Sequence, residues 1–162
     1  MRAVVQRVAR ASVTWSGDDG ERHESSIGKG LVILLGVGPE DDESHADRLA
    51  TKVAQLRIFA DAEGRFNHSL IEVRGGALVV SQFTLYADTS RGRRPSFIRA
   101  GDPTRAEELY ERFADRVEAE GVEVGRGCFG ADMTVSLDND GPVTLVLSTA
   151  PWETAVSGAA AR

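Results

Sequence analysis

The chain of 162 residues is poor in cysteine, in histidine and in long apolar runs, and each shortage removes a class of function. Cys128 is its single cysteine, so neither an internal disulfide framework nor a thiolate cluster for zinc can form. By itself such a residue reads more readily as a small buried hydrophobe than as a nucleophile. His23, His45 and His68 are scattered without ligand spacing, so no metal is expected. No stretch approaches the ~18 uninterrupted apolar residues of a membrane-spanning helix. Polar residues break the short apolar run at Met1-Arg2-Ala3-Val4-Val5-Gln6-Arg7, which lacks the core of a secretory signal. The expectation is a cytoplasmic protein without a membrane partner. Excess positive charge is missing as well: the formal net charge is -6, so attraction by the whole molecule cannot carry it to a polyanion. Any RNA contact must come from a local basic patch.

The length suits one domain, expected over residues 1–156 with a frayed tail at 157–162. Hydrophobic period predicts strands over 3–10 and 11–15, pairing as an opening hairpin, and a polar loop over 16–26. Leu31-Val32-Ile33-Leu34-Leu35 is a continuous apolar run ended by Gly36 and Gly38, as in a strand covered on both faces. A helix capped by Ser44 follows, with Ala46, Leu49, Ala50, Val53 and Leu56 on one stripe. Residues 77–85 read as a second buried strand. Asp102-Pro103 is a helix start, Ala106, Leu109, Tyr110, Phe113 and Val117 mark its buried face, and Gly121 ends it. Strands at 122–124 and from Met133 onward lead to a turn at Asn139-Asp140-Gly141-Pro142 and a last strand over 143–148. The fold class is therefore α/β: one compact domain with a mixed, barrel-like sheet and a few packed helices.

Several motifs invite chemistry. Gly36-Val37-Gly38 begins like a dinucleotide fingerprint, but Asp41, Asp42 and Glu43 occupy the helix start and would repel a pyrophosphate. With no phosphate-binding Walker loop either, no cofactor is expected. Asp132, Asp138 and Asp140 lie close in sequence, a pattern that solvated strand ends and turns produce as readily as an acid/base pair does. In Ser81-Gln82-Phe83-Thr84-Leu85, strand alternation sets Gln82 and Thr84 against Ser81 and Phe83. These polar groups either end a sheet with backbone or water partners, or form a small pocket that polarises a carbonyl. Asn139-Asp140-Gly141-Pro142-Val143-Thr144 is either a plain turn or a rigid element presenting carbonyl oxygens to a ligand. Residues 90–99 gather Arg91, Arg93, Arg94 and Arg99 around Phe97, as a solvated loop or as an RNA contact.

Together these segments resemble the D-aminoacyl-tRNA deacylase family, from Met1 to about Ala150. The family's two defining motifs are similar to residues 81–85 and 139–144, supported by 89–97 and 129–133. The resemblance implies an obligate homodimer with two active sites at its interface and the 3'-terminal aminoacyl-adenosine of tRNA as substrate. It implies hydrolysis of the D-aminoacyl ester, and of glycine mischarged on tRNA(Ala). Gly141 and Pro142, joined by a cis bond, would reach into the partner's pocket and crowd the α-carbon so that an L side chain collides. Arg7 matches the arginine that holds this motif. Gln82, Phe83 and Thr84 would be the catalytic group, Ser81 would line the pocket with them, and Met133, Phe129 and Ala100 would be further wall. Neither a histidine nor a cysteine stands by to activate Thr84, so water assisted by the ribose hydroxyl is the expected nucleophile, with N–H groups near Phe83 and Thr84 as the oxyanion site. A non-catalytic RNA-binding module and a non-stereoselective small-ester hydrolase remain the alternatives.

Overall fold

The computed structural model describes residues 1–17, 20–90 and 92–151. The expected frayed tail at 157–162 lies outside the described residues. β1 (Arg2–Ser16) is one continuous strand rather than two strands paired as a hairpin. Its partners on one edge are β2 (Arg22–Ile27) against residues 11–16 and β3 (Gly30–Gly36) against residues 2–8, both antiparallel. All of β2 except Ile27 lies inside the stretch expected to be a loop. Its residues RHESSI carry no apolar period, and it is a strand because the far half of β1 offers an unpaired edge.

Helix α1 (Glu43–Gln55) follows β3 and is capped by the Asp42 carboxylate, which accepts the His45 N–H. The expected cap, Ser44, instead donates its hydroxyl to Asp42. Ala46, Leu49, Ala50 and Val53 are buried as their spacing predicts, and Leu56 is the C-terminal cap, partly buried. A small hairpin of β4 (Phe59–Ala60) and β5 (Phe66–His68) precedes β6 (Gly76–Ser81), which is parallel to β3 with Leu35 opposite Ser81. β6 stops at Ser81, short of the expected Leu85, because residues Phe83–Tyr86 curl into a 3₁₀ turn. Helix α2 (Pro103–Ala119) starts at the Asp102 cap and buries all five residues of its predicted stripe. β7 (Glu123–Arg126) is parallel to β6, and β8 (Met133–Ser148) covers the free edge of β1 from end to end.

The result is a mixed six-stranded, barrel-like sheet ordered β2-β1-β3-β6-β7, with β8 on the other side of β1. Both helices pack on one face over Val5, Ile33, Leu35 and Val79, while Val8, Val13, Val32 and Leu78 form a second apolar layer on the other face. Burying each such side chain contributes about 1.5–3 kcal/mol. Two consequences of this layout position the site. The parallel strands β3, β6 and β7 end at one edge, where crevices open in sheets of this kind. Along the β1/β8 pair the register jumps: Gln6 faces Thr144, but Val8 already faces Asn139. Residues 140–143 therefore bulge out opposite Arg7, where a turn between two strands was expected.

Candidate active site

A cavity of about 640 Å³ opens where the carboxyl ends of β3 and β6 meet the first turns of α2 and the loop before β8. Ser81, Gln82, Phe83, Ala100, Phe129 and Met133 all line it, so six of the predicted site residues converge there from three separate segments. Thr84 is exposed and lies beyond the lining, next to Phe83. Its hydroxyl accepts a hydrogen bond from the Gln82 amide, and among the described residues no histidine or carboxylate is bonded to it as a base would be. Cys128 is half-buried and outside the lining, with a weak contact to the Phe129 carbonyl at 3.9 Å.

The floor contains a residue that periodicity alone assigned to the core. Tyr110 stands on the buried stripe of α2, packs its ring against Phe129 at 5.9 Å, and turns its hydroxyl to the carbonyls of Val79 at 2.9 Å and Gly127 at 3.2 Å. Burial pushes its phenol well above the ordinary value, so it remains a donor. The signal in the sequence was a tyrosine where leucine would pack as well: a buried hydroxyl needs a partner. Tyr110→Phe is expected to cost about 1 kcal/mol, read as a fall of a few degrees in Tm.

At the mouth, Phe83 and Phe97 meet edge to face with ring centres 5.0 Å apart, and both remain exposed, Phe83 by 58%. Paired backbone bonds between Asp88 and Ser96, at 2.8 and 2.9 Å, close the loop that brings Phe97 here. That loop carries the exposed Arg93 and Arg94, and the exposed Arg99 just after it pairs with Asp88 at 3.7 Å; Arg91 lies outside the described residues. The 3₁₀ turn begins with the bond from Leu85 N–H to the Gln82 carbonyl. The N–H groups of Phe83 and Thr84 precede it and have no acceptor within the turn. Phe83 lines this apolar, aromatic-walled cavity and Thr84 follows just beyond it, so the walls are able to hold a planar base.

The remaining predicted residues form a separate unit. Gly141 and Pro142 are exposed at the tip of the β8 bulge, their peptide bond is cis, and φ of Gly141 is +128°. The bulge is stapled at its neck. Asn139 Oδ1 accepts the Val143 N–H at 2.8 Å and Asn139 Nδ2 donates to Thr144 Oγ1 at 3.0 Å. From beneath, the buried Arg7 donates through Nε to the Asp140 carbonyl at 3.1 Å, pairs with the Asp140 carboxylate, and donates through Nη1 to the Ile58 carbonyl. A buried guanidinium bonded through Nε and Nη1 to two separate backbone carbonyls ties the bulge to the chain at Ile58. The bulge is nonetheless far from the cavity of its own chain. Six ladder steps at ~3.3 Å each separate Met133 on the cavity wall from Asn139, about 20 Å in all.

A family model described as D-Tyr-tRNA(Tyr) deacylase matches residues 4–148. A D-aminoacyl-tRNA deacylase of Roseiflexus castenholzii is 59% identical over 150 residues, which cover 93% of both chains. One from Deinococcus deserti is 52% identical over 147 residues, 91% of this chain and 98% of that one. Among solved structures, one described as c-Myc DNA Unwinding Element Binding Protein superposes with a TM-score of 0.83 at 37% identity, covering 93% of this chain and 100% of that one. A probable eukaryotic D-amino acid tRNA deacylase superposes at 0.76 over 90% of this chain and 97% of its own length; its 18% identity speaks for the fold alone.

Proposed function

The chain belongs to the D-Tyr-tRNA(Tyr) deacylase family, and from that premise we propose that it hydrolyses the ester between a D-amino acid and tRNA, sorting enantiomers with main-chain oxygens lent by a second copy of itself. The observation that carries this reading is the separation of two preformed units. The cavity has aromatic walls, while the exposed, stapled Gly141-Pro142 bulge stands about 20 Å from it along β8. In a homodimer the bulge of one subunit enters the cavity mouth of the other. Exposed Val146 beside the bulge, 56% accessible, supports an apolar contact there.

In such a site the terminal adenine packs on Phe83 and Phe97, and the aminoacyl group lies between Ala100, Phe129 and Met133. The carbonyl oxygens of the bulge crowd the α-carbon from one side. An L side chain meets them, a D side chain points away, and glycine has no Cβ to collide, so glycyl esters, including glycine mischarged on tRNA(Ala), are accepted. Arg93, Arg94 and Arg99 add phosphate contacts to an otherwise acidic chain. Charged tRNA places the activity in the cytoplasm. Among the described residues no helix is long and apolar enough to cross a membrane.

For the chemical step, water adds to the ester carbonyl while the neighbouring ribose hydroxyl relays a proton, accepting one from the water as it gives its own to the departing ribose oxygen. The oxyanion is held by the N–H groups of Phe83 and Thr84, the C–O bond to the terminal ribose breaks, and free D-amino acid and tRNA leave. The ester is already activated, so positioning does most of the work. Thr84 needs no part as nucleophile. Thr84→Val is expected to retain kcat within about tenfold in single-turnover deacylation, whereas removal of a covalent nucleophile costs about 10³-fold or more.

Incubating the protein with matched D- and L-aminoacyl-tRNA tests the function. The expected result is release of the D-amino acid and glycine with the L-ester intact. Equal cleavage of both enantiomers would instead mark a non-stereoselective esterase, and salt-sensitive binding of many RNAs without turnover would mark an RNA-binding module.

A further inference from the structure

The turn that carries Phe83 and Thr84 is gripped from behind by groups that do not line the cavity. Arg2 Nη1 donates to the Leu85 carbonyl at 2.7 Å, and its guanidinium carbon lies 4.4 Å from the centre of the Tyr86 ring. The Tyr86 hydroxyl donates to Asp41 Oδ2 at 3.0 Å, and the same oxygen accepts the Gly38 N–H at 2.7 Å. The other Asp41 oxygen is bonded to the Met1 amino group and accepts the Thr149 hydroxyl at 3.2 Å. Burial works against an ionised Asp41, but these donors outweigh it and keep its pKa below the ordinary carboxylate value. Burial, and then Asp41, push the Tyr86 phenol up, so it stays protonated and donating.

The two glycines that opened like a dinucleotide fingerprint find their reason here. A Cβ on Gly38 would lie 2.6 Å from Tyr86 Cε1, and one on Gly36 would lie 2.9 Å from the Gln82 carbonyl oxygen and 3.1 Å from Leu85 Cβ. Only bare backbone lets the turn sit this close. A four-residue 3₁₀ turn has poor internal geometry and holds no fixed direction by itself. An oxyanion donor is useful only when its direction is fixed beforehand.

We infer that Arg2, Asp41 and Tyr86 are positioning residues for the deacylation reaction, fixing the angle at which the turn presents the Phe83 and Thr84 N–H groups to the scissile carbonyl. The inference rests on the function proposed above and adds a set of groups behind the site that touch no substrate. Loosening this grip loses transition-state alignment and leaves the cavity walls in place. The effect therefore falls on kcat and spares KM.

The test compares Arg2→Met, Arg2→Lys, Tyr86→Phe and the Arg2→Met/Tyr86→Phe pair. Each is followed by steady-state deacylation of D-aminoacyl-tRNA and by hydrogen exchange of the peptide over residues 82–87. Arg2→Met is expected to lower kcat about tenfold and Tyr86→Phe about threefold, with KM within about twofold of wild type. The pair should fall short of the product of the two, because both residues hold one turn. Arg2→Lys should recover part of the loss, and exchange at 82–87 should quicken while that of α1 and α2 stays as it was. A lowered Tm with unchanged kcat, a rise in KM alone, or unaltered exchange at 82–87 overturns the inference. A wild type inactive on D-aminoacyl-tRNA would sink the proposed function instead, and the exchange comparison would then decide the clamp by itself.

Discussion

Replacing Gly141 by alanine is expected to lower the ratio of D- to L-ester hydrolysis by about tenfold or more. Gly141 has φ of +128°, where an L side chain is strained, and an added Cβ would sit 2.8 Å from Val143 Cγ2 and 3.0 Å from Arg7 Nη2. Arg7 cannot retreat, because its guanidinium is buried and tied to Ile58 and Asp140. The bulge must give way, and the carbonyl oxygens proposed to crowd the α-carbon move with it. The accompanying loss of stability is about 1–3 kcal/mol, so the rates are compared well below the variant's Tm. Matched D- and L-aminoacyl-tRNA report the ratio directly. An unchanged ratio alongside a lowered Tm would show that the bulge carries no stereochemical information.

The second large effect concerns binding. Phe83 and Phe97 present two exposed rings 5.0 Å apart at a cavity mouth, an unfavourable use of apolar surface unless a flat ligand covers it. Stacking of a base on an aromatic ring contributes about 1–3 kcal/mol, so Phe83→Ala is expected to raise KM by about 5- to 150-fold. Phe97→Ala should act in the same direction but less, as that ring is the more covered of the two. The Phe83 backbone N–H survives truncation of its side chain, so kcat should change little. Steady-state kinetics over a wide range of tRNA concentration separate the two constants. A fall in kcat at constant KM would mean that the rings shape the reacting geometry and do not hold the adenosine.

Features governed by local chemistry were legible in the sequence. The Asp102-Pro103 start of α2 and its five-residue stripe, the buried run of β3 and the α1 stripe all follow from capping, proline geometry and period, which depend on a few neighbouring residues. What could not be read was decided by distant partners. RHESSI is a strand because β1 continues past Val8 and needs an edge partner. The residues NDGP form a bulge and no turn, because β1 runs on beneath them and β8 resumes its pairing at Thr144. Strand alternation in residues 81–85 failed for the same reason: the turn after Ser81 exists through contacts with Gly36, Gly38, Arg2 and Asp41, far away along the chain. The convergence of Ser81, Ala100, Phe129 and Met133 was available from the family resemblance; that Tyr110 and the start of α2 complete the cavity was not.

The central claim, that one subunit's bulge guards the other's cavity, is tested most directly by hybrid dimers. One subunit carries Phe83→Ala and Phe97→Ala, whose raised KM leaves its cavity nearly empty at tRNA concentrations around the wild-type KM, and the other carries Gly141→Ala, which disables its bulge. In the hybrid the single intact cavity then faces the single intact bulge. The expected result is cleavage of D-aminoacyl-tRNA with the L-ester left untouched, although the Gly141→Ala parent cleaves both. A hybrid that consumes the L-ester as fast per intact cavity as that parent does would contradict it.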